Sequence, residues 1–142
     1  MNSLSFPDVN VWLALALEHH VHRPAAAAWW KSPESARIGM NRATQMGFLR
    51  LLTTAAAMEG MPLSMSEAWE VHDRLFDDDR VGFFAEPPGL EQSFRQGSTS
   101  PTASPKVWAD AYLLAFAAGH KGRLVTFDQA LAKTGAHCLA PR

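Results

Sequence analysis

The chain has 142 residues, 47% of them hydrophobic and 19% charged, and a formal net charge of −1. That size fits one domain over 1–142 with one substantial core, and the near-neutral charge excludes a protein that gathers polyanions through its overall field, so an anionic partner has to meet a local patch. Cys138 is the single cysteine, which excludes an internal disulfide and suits a reducing cytosol.

Residues 4–6, with Leu4 and Phe6 on either side of Ser5, read as a short strand that ends at Pro7. Asp8 is placed to cap the helix that follows, in which Val9, Leu13 and Leu17, with Val11 and Leu15, make a wide apolar face. The histidine-rich stretch at His19, His20 and His22 ends it. No cysteine or second histidine pair accompanies these rings, so a solvated loop is preferred to a zinc site. Pro24 suits the first turn of a second helix through Trp30. A strand is expected over 36–40, then a long helix over 42–54 with Met46, Phe48, Leu49 and Leu52 turned inward.

Ser66 reads as the cap of a helix over 67–77 that packs Trp69, Val71 and Leu75. A third strand is expected over 81–84, a turn at Pro87, Pro88 and Gly89, and a short helix over 90–96. Residues 97–103 are polar and lack apolar anchors, as in a mobile loop. Ser104 and Pro105 look like the cap and first residue of a helix reaching about 118. Residues 124–127 read as a strand, 129–133 as a short helix and 137–139 as an edge strand. Strands alternating with helices predict a three-layer α/β/α sandwich around a central, mainly parallel sheet of about five strands.

Three aspartates stand out in this frame. Asp8 and Asp128 follow predicted strands, where open parallel sheets bind their ligands. Asp110 lies in the second turn of the expected helix over 105–118, on the same apolar face as Val107, Ala111, Leu114 and Ala118. Asp8 and Asp128 each have a plain alternative as helix caps. Asp110 lacks that excuse, because aspartate is a poor residue inside a helix. Three carboxylates in one pocket call for a counter-ion, and a hard divalent cation is the simplest. Such an ion lowers the pKa of a bound water and steadies charge on phosphate oxygens, which suits phosphodiester cleavage. Asn10 and Thr126 are placed to orient the carboxylates or the waters around them.

The same residues, in this order, resemble the PIN-domain ribonucleases, and most closely the VapC-type toxins of VapBC toxin–antitoxin systems. The resemblance runs from Ser5 to Ala140. It is carried by the segments 7–15, 44–53, 87–91, 108–116 and 124–128, and their order and spacing are more specific than any one of them. It implies a central parallel sheet flanked by helices and an endoribonuclease dependent on Mg²⁺ or Mn²⁺ that cuts RNA phosphodiesters to inhibit translation and growth. It also implies a homodimer and a cognate VapB-type antitoxin as partner.

Asp8, Asp110 and Asp128 then match acidic positions of the family and become the metal ligands. The departure is Gln45, where many members carry glutamate. A glutamine still offers a carbonyl acceptor, so Gln45 is expected to assist catalysis in a pocket of three charges rather than four. Arg42 and Lys106 are the best candidates for RNA binding among the basic residues Arg42, Arg50, Lys106, Lys121 and Arg123. Trp12, Trp29, Trp30, Trp69 and Phe48 suit either the core or a dimer or antitoxin surface.

Two other readings compete. Gln45 motivates a catalytically silent module that binds RNA or a partner. A phosphotransferase or phosphohydrolase with Asp8 as nucleophile is the third, although the sequence lacks a second aspartate at position 10. The longest uncharged apolar run, 9–17, is too short to cross a bilayer, and the first eight residues lack the basic region and cleavage pattern of a secretory leader. The expected setting is the cytoplasm, with no membrane partner.

Overall fold

The computed structural model describes residues 3–139. The expected unit over 1–142 also includes 1–2 and 140–142, which lie outside the described residues, as does Ala140 at the end of the family resemblance.

Five parallel strands form one sheet: β1 (Leu4–Pro7), β2 (Arg37–Met40), β3 (Val81–Phe83), β4 (Arg123–Thr126) and β5 (His137–Cys138), in the order β3-β2-β1-β4-β5. Helices α1 (Val9–Ala16), α2 (Arg23–Trp30), α3 (Arg42–Leu52), α4 (Met65–Leu75), α5 (Leu90–Gln96) and α6 (Val107–Gly119) supply the crossovers. Parallel strands need such crossovers, and helices on the faces bury both sides of the sheet.

The alternation of side chains divides the core in two. Ile38, Met40 and Val125 face one side, against Trp12, Trp29, Phe48 and Leu52. Leu4, Phe6 and Leu124 face the other, against Leu90, Phe116 and Ala117. The sandwich therefore has three layers, as the sequence predicts. Gly39 is a point in the sheet where a side chain does not fit: a Cβ there would run into the rings of Phe6 and Phe84. Gly47 plays the same part between helices, since its Cβ would lie 2.8 Å from Val9 Cγ2 on α1. That close approach sets the first turn of α1 against the middle of α3.

Four local expectations are corrected. Met46 is 60% exposed, because Phe48 and Leu52 already fill the inner face of α3. Helix α4 is capped by Ser64, not Ser66, in a reciprocal capping box with Glu67. Trp69 is 45% exposed, and Ala68 and His72 are the residues that α4 buries. Helix α6 begins at Val107, and Ser104 contributes its backbone carbonyl to a turn with the Val107 N–H, not a side-chain cap. Of the aromatic residues left open between core and surface, Trp12, Trp29 and Phe48 are core. Phe48→Ala is therefore expected to destabilise the fold by about 3–5 kcal/mol, measured as a shift of the urea midpoint.

Candidate active site

The chain leaves β1 toward β2 and β3 on one side, then returns to β4 and β5 on the other. The sheet thus has a topological switch between β1 and β4, and ligands of open parallel sheets bind outside the carboxyl ends of strands at such a point. Asp8 and Asp128 stand there, Asp8 directly after β1 and Asp128 two residues beyond the last of β4. The pairing is tight, with the Asp8 N–H donating to the Val125 carbonyl at 2.9 Å.

Both aspartates are helix caps. Asp8 Oδ1 accepts from the Val11 N–H at 3.1 Å, and Asp128 Oδ1 from the Ala130 N–H at 2.9 Å. In each case the second oxygen remains for other work. Thr126, fully buried at the end of β4, donates its hydroxyl to Asp8 Oδ2 at 2.6 Å and accepts the Asp128 N–H at 3.0 Å. One threonine thereby ties the first acidic loop to the last, 118 residues apart. For Asn10, an exposed residue, it is the backbone N–H that acts on Asp8.

Asp110 sits half-buried in the first turn of α6, one turn earlier in its helix than the sequence reading has it. Its position is less costly than a mid-helix aspartate, because the helix N-terminus favours negative charge. Burial pushes its pKa up, the nearby Lys106 ammonium opposes this, and Asp128 adds to it. Burial also raises the Asp8 carboxyl, against the hydrogen bonds from Thr126, Val11 and Asn10, with a further push from Asp110. Asp128 goes the other way: the Lys106 ammonium, with Nζ at 2.5 Å from Oδ2, holds it low. The three acids thus form an electrostatic chain, Asp8 to Asp110 to Asp128, with one lysine at its outer end.

Among the described residues, no three His, Cys, Asp or Glu side chains converge as a ready cage for an ion. The donor set fits a cation that keeps most of its own waters. Mg²⁺ commonly takes only one or two carboxylates, and Asp8 and Asp110 are two oxygen donors that repel each other when ionised. Asp128 would have to release Lys106 to join them.

Gln45 is buried on α3, and its amide is committed elsewhere. Its Oε1 accepts from Arg42 Nη1 at 2.5 Å, and its Nε2 lies 3.1 Å from His72 Nε2. No hydrogen bond joins it to the three aspartates among the described residues. Arg42 itself is exposed, with its guanidinium 4.6 Å from the ring centroid of Phe83. His72 is the residue that sequence reasoning passed over. The available signal was its spacing four residues from Ala68, on the inner face of α4.

The PIN-domain pattern matches residues 5–136. The chain belongs to the PIN-domain family. It is 43% identical over 133 residues to Ribonuclease VapC41 of Mycobacterium tuberculosis, covering 90% of this chain and 91% of the relative. It is 35% identical to Ribonuclease VapC44 of the same organism, with 89% and 87% covered. Among solved structures, Mycobacterium tuberculosis VapC20, described as a sarcin–ricin loop cleaving toxin, superposes with a TM-score of 0.61 at 14% identity, over 93% of this chain and 95% of that one. FitAcB from Neisseria gonorrhoeae gives 0.56 at 18% identity, over 96% and 97%. These two likenesses concern the fold. The relatives place this PIN domain in the VapC group. No helix among the described residues is long and apolar enough to cross a membrane.

Proposed function

We propose that this PIN domain is a metal-dependent endoribonuclease that acts as the toxin of a toxin–antitoxin pair, in the cytoplasm, as a homodimer and under the control of a VapB-type antitoxin. The observation that carries the reading is the Thr126 bridge, which ties Asp8 to Asp128 at the switch point of the sheet, with Asp110 coupled to both. The names of the VapC relatives support the choice of RNA as substrate.

Asp8 and Asp110 would hold Mg²⁺ or Mn²⁺, with Asp128 reached through a water or after release of Lys106. When bound, the ion supplies an activated water and neutralises charge on the phosphate. The protein does the rest. Thr126 fixes the Asp8 carboxylate, Lys106 and Arg42 supply positive charge beside the acidic cluster, and the cap bonds keep both carboxylates from rotating away. The test is cleavage of single-stranded RNA by the full chain: activity is expected with Mg²⁺ or Mn²⁺ and is lost with EDTA. Persistent cleavage in the chelator would sink the metal assignment.

Lys106 and a divalent ion compete for the same carboxylate. Lys106→Met is accordingly expected to tighten Mn²⁺ binding roughly two- to fivefold, a range set by exposed ion pairs, as read by calorimetry. The orientation of Gln45 keeps a second reading open, a PIN-like module that binds RNA without cutting it. Calorimetry separates the two, since that module would show no Mn²⁺ binding dependent on Asp8.

A further inference from the structure

Gln45 and His72 are both more than nine-tenths buried, yet the acidic cluster does not use them. They belong to a line of hydrogen bonds that runs from solvent to solvent. At one end, His72 Nδ1 lies 2.9 Å from Asp73 Oδ1. An ionised carboxylate only accepts, so Nδ1 carries the proton. In the neutral ring Nε2 is then a lone pair, and the group 3.1 Å away must donate to it. That fixes the Gln45 amide, with its NH₂ toward His72 and its carbonyl oxygen toward Arg42. A glutamate at position 45 has no N–H to give and breaks this order.

The line ends on Arg42, whose guanidinium is gripped twice, by Gln45 Oε1 and by the face of the half-exposed Phe83. Arg42 opens α3 directly after β2, the strand next to β1. It therefore stands at the same carboxyl edge as Asp8, one strand away. A guanidinium has five N–H donors in a rigid fork suited to phosphate, and among the described residues Arg42 gives a hydrogen bond to Gln45 alone.

We infer that His72 and Gln45 are positioning residues that hold Arg42, stacked on Phe83, as a fixed phosphate-binding arm beside the acidic site. The inference rests on the ribonuclease reading and assigns Gln45 to substrate binding, not to the metal.

The experiment measures binding of a non-cleavable single-stranded oligonucleotide to the full chain in EDTA, as a function of salt. His72→Phe keeps an aromatic ring where His72 stacks on Phe76 and meets the edge of Trp69, and removes the acceptor. Arg42→Ala is expected to weaken binding about tenfold and to flatten the salt slope by roughly 0.7, the loss of one phosphate contact. His72→Phe is expected to cost threefold or more alone, and nothing further in the Arg42→Ala background. With RNA as substrate it raises KM and leaves kcat in place.

Three results would each overturn the inference: unchanged affinity in Arg42→Ala, unchanged affinity in a folded His72→Phe, or additive effects of the two. Nitrogen NMR of the parent gives an answer even if His72→Phe does not fold. A proton on His72 Nε2, in a neutral or a cationic ring, is incompatible with the line. The ribonuclease reading fails separately, if the parent binds the oligonucleotide but cuts no RNA with Mn²⁺.

Discussion

Asp110→Asn is expected to lower RNA cleavage by at least about 10²-fold while leaving the fold intact. The loss follows from removing one of two carboxylates available to a cation, a larger change than the 10–100-fold cost of disturbing a group that merely supports a ligand. The fold survives because the two contributions of Asp110 to stability oppose each other. Burial disfavours its charged form, as its raised pKa records. The N-terminal turn of α6 favours it, typically by about 0.3–1 kcal/mol. Solvent reaches this half-buried side chain and screens both, so the melting temperature is expected to move by no more than about 4 °C.

The same substitution makes a prediction in pH. The Asp8 carboxyl is raised mainly by burial and further by Asp110. Cleavage needs ionised carboxylates, so in the parent it declines with falling pH earlier than ordinary aspartates would dictate. For stability the sign is reversed. A carboxyl raised in the folded state binds more protons there than in the unfolded chain, so folding weakens as pH rises from 3.8 through the raised value. In Asp110→Asn the like charge is gone, and Asp8 is expected to titrate lower than in the parent. Carbon NMR of the Asp8 carboxyl reads this directly. An unmoved titration would mean that the two groups are not coupled, and full cleavage by the variant would remove Asp110 from the site.

Much of this arrangement was legible in the sequence because short-range chemistry specifies it. Short strand-like runs closed by Pro7 and by Asp128 mark strand ends, and Asp8 and Asp128 cap the helical turns that follow. Cap and site are not rival roles for Asp8 and Asp128, because each carboxylate has two oxygens and gives one to the helix. What stayed hidden is long-range. The strand order that puts β1 beside β4 depends on which crossover returns to which edge, and no local signal encodes that. Gln45 looked like a weakened metal ligand because its neighbours in the chain do not reveal His72, 27 residues on. Periodicity shows which residues share a face, not which face another helix covers, so it does not reveal that Met46 and Trp69 are exposed.

Thr126→Val is expected to have the second-largest effect on function, through a hydroxyl that would touch neither metal nor RNA. Valine keeps the shape of the side chain in the buried end of β4 and removes a donor and an acceptor together. Asp8 Oδ2 loses its 2.6 Å partner, and the Asp128 N–H loses the oxygen that holds its loop. Leaving such groups unpaired costs about 1–3 kcal/mol, visible as a lower urea midpoint. Loss of a bond that orients a ligand typically costs 10–100-fold in metal affinity or activity, so Mn²⁺ binding and RNA cleavage are expected to fall together by that factor. Because the Thr126 hydrogen bond lowers the Asp8 pKa, its removal leaves burial less opposed and moves the acid limb of cleavage to higher pH, opposite to the downward shift of Asp8 in Asp110→Asn. Thr126→Ser retains the hydroxyl and is expected to recover most of the activity and the parental limb. A Thr126→Val variant that keeps the parental pH profile would show that Asp8 is oriented by its helix cap alone.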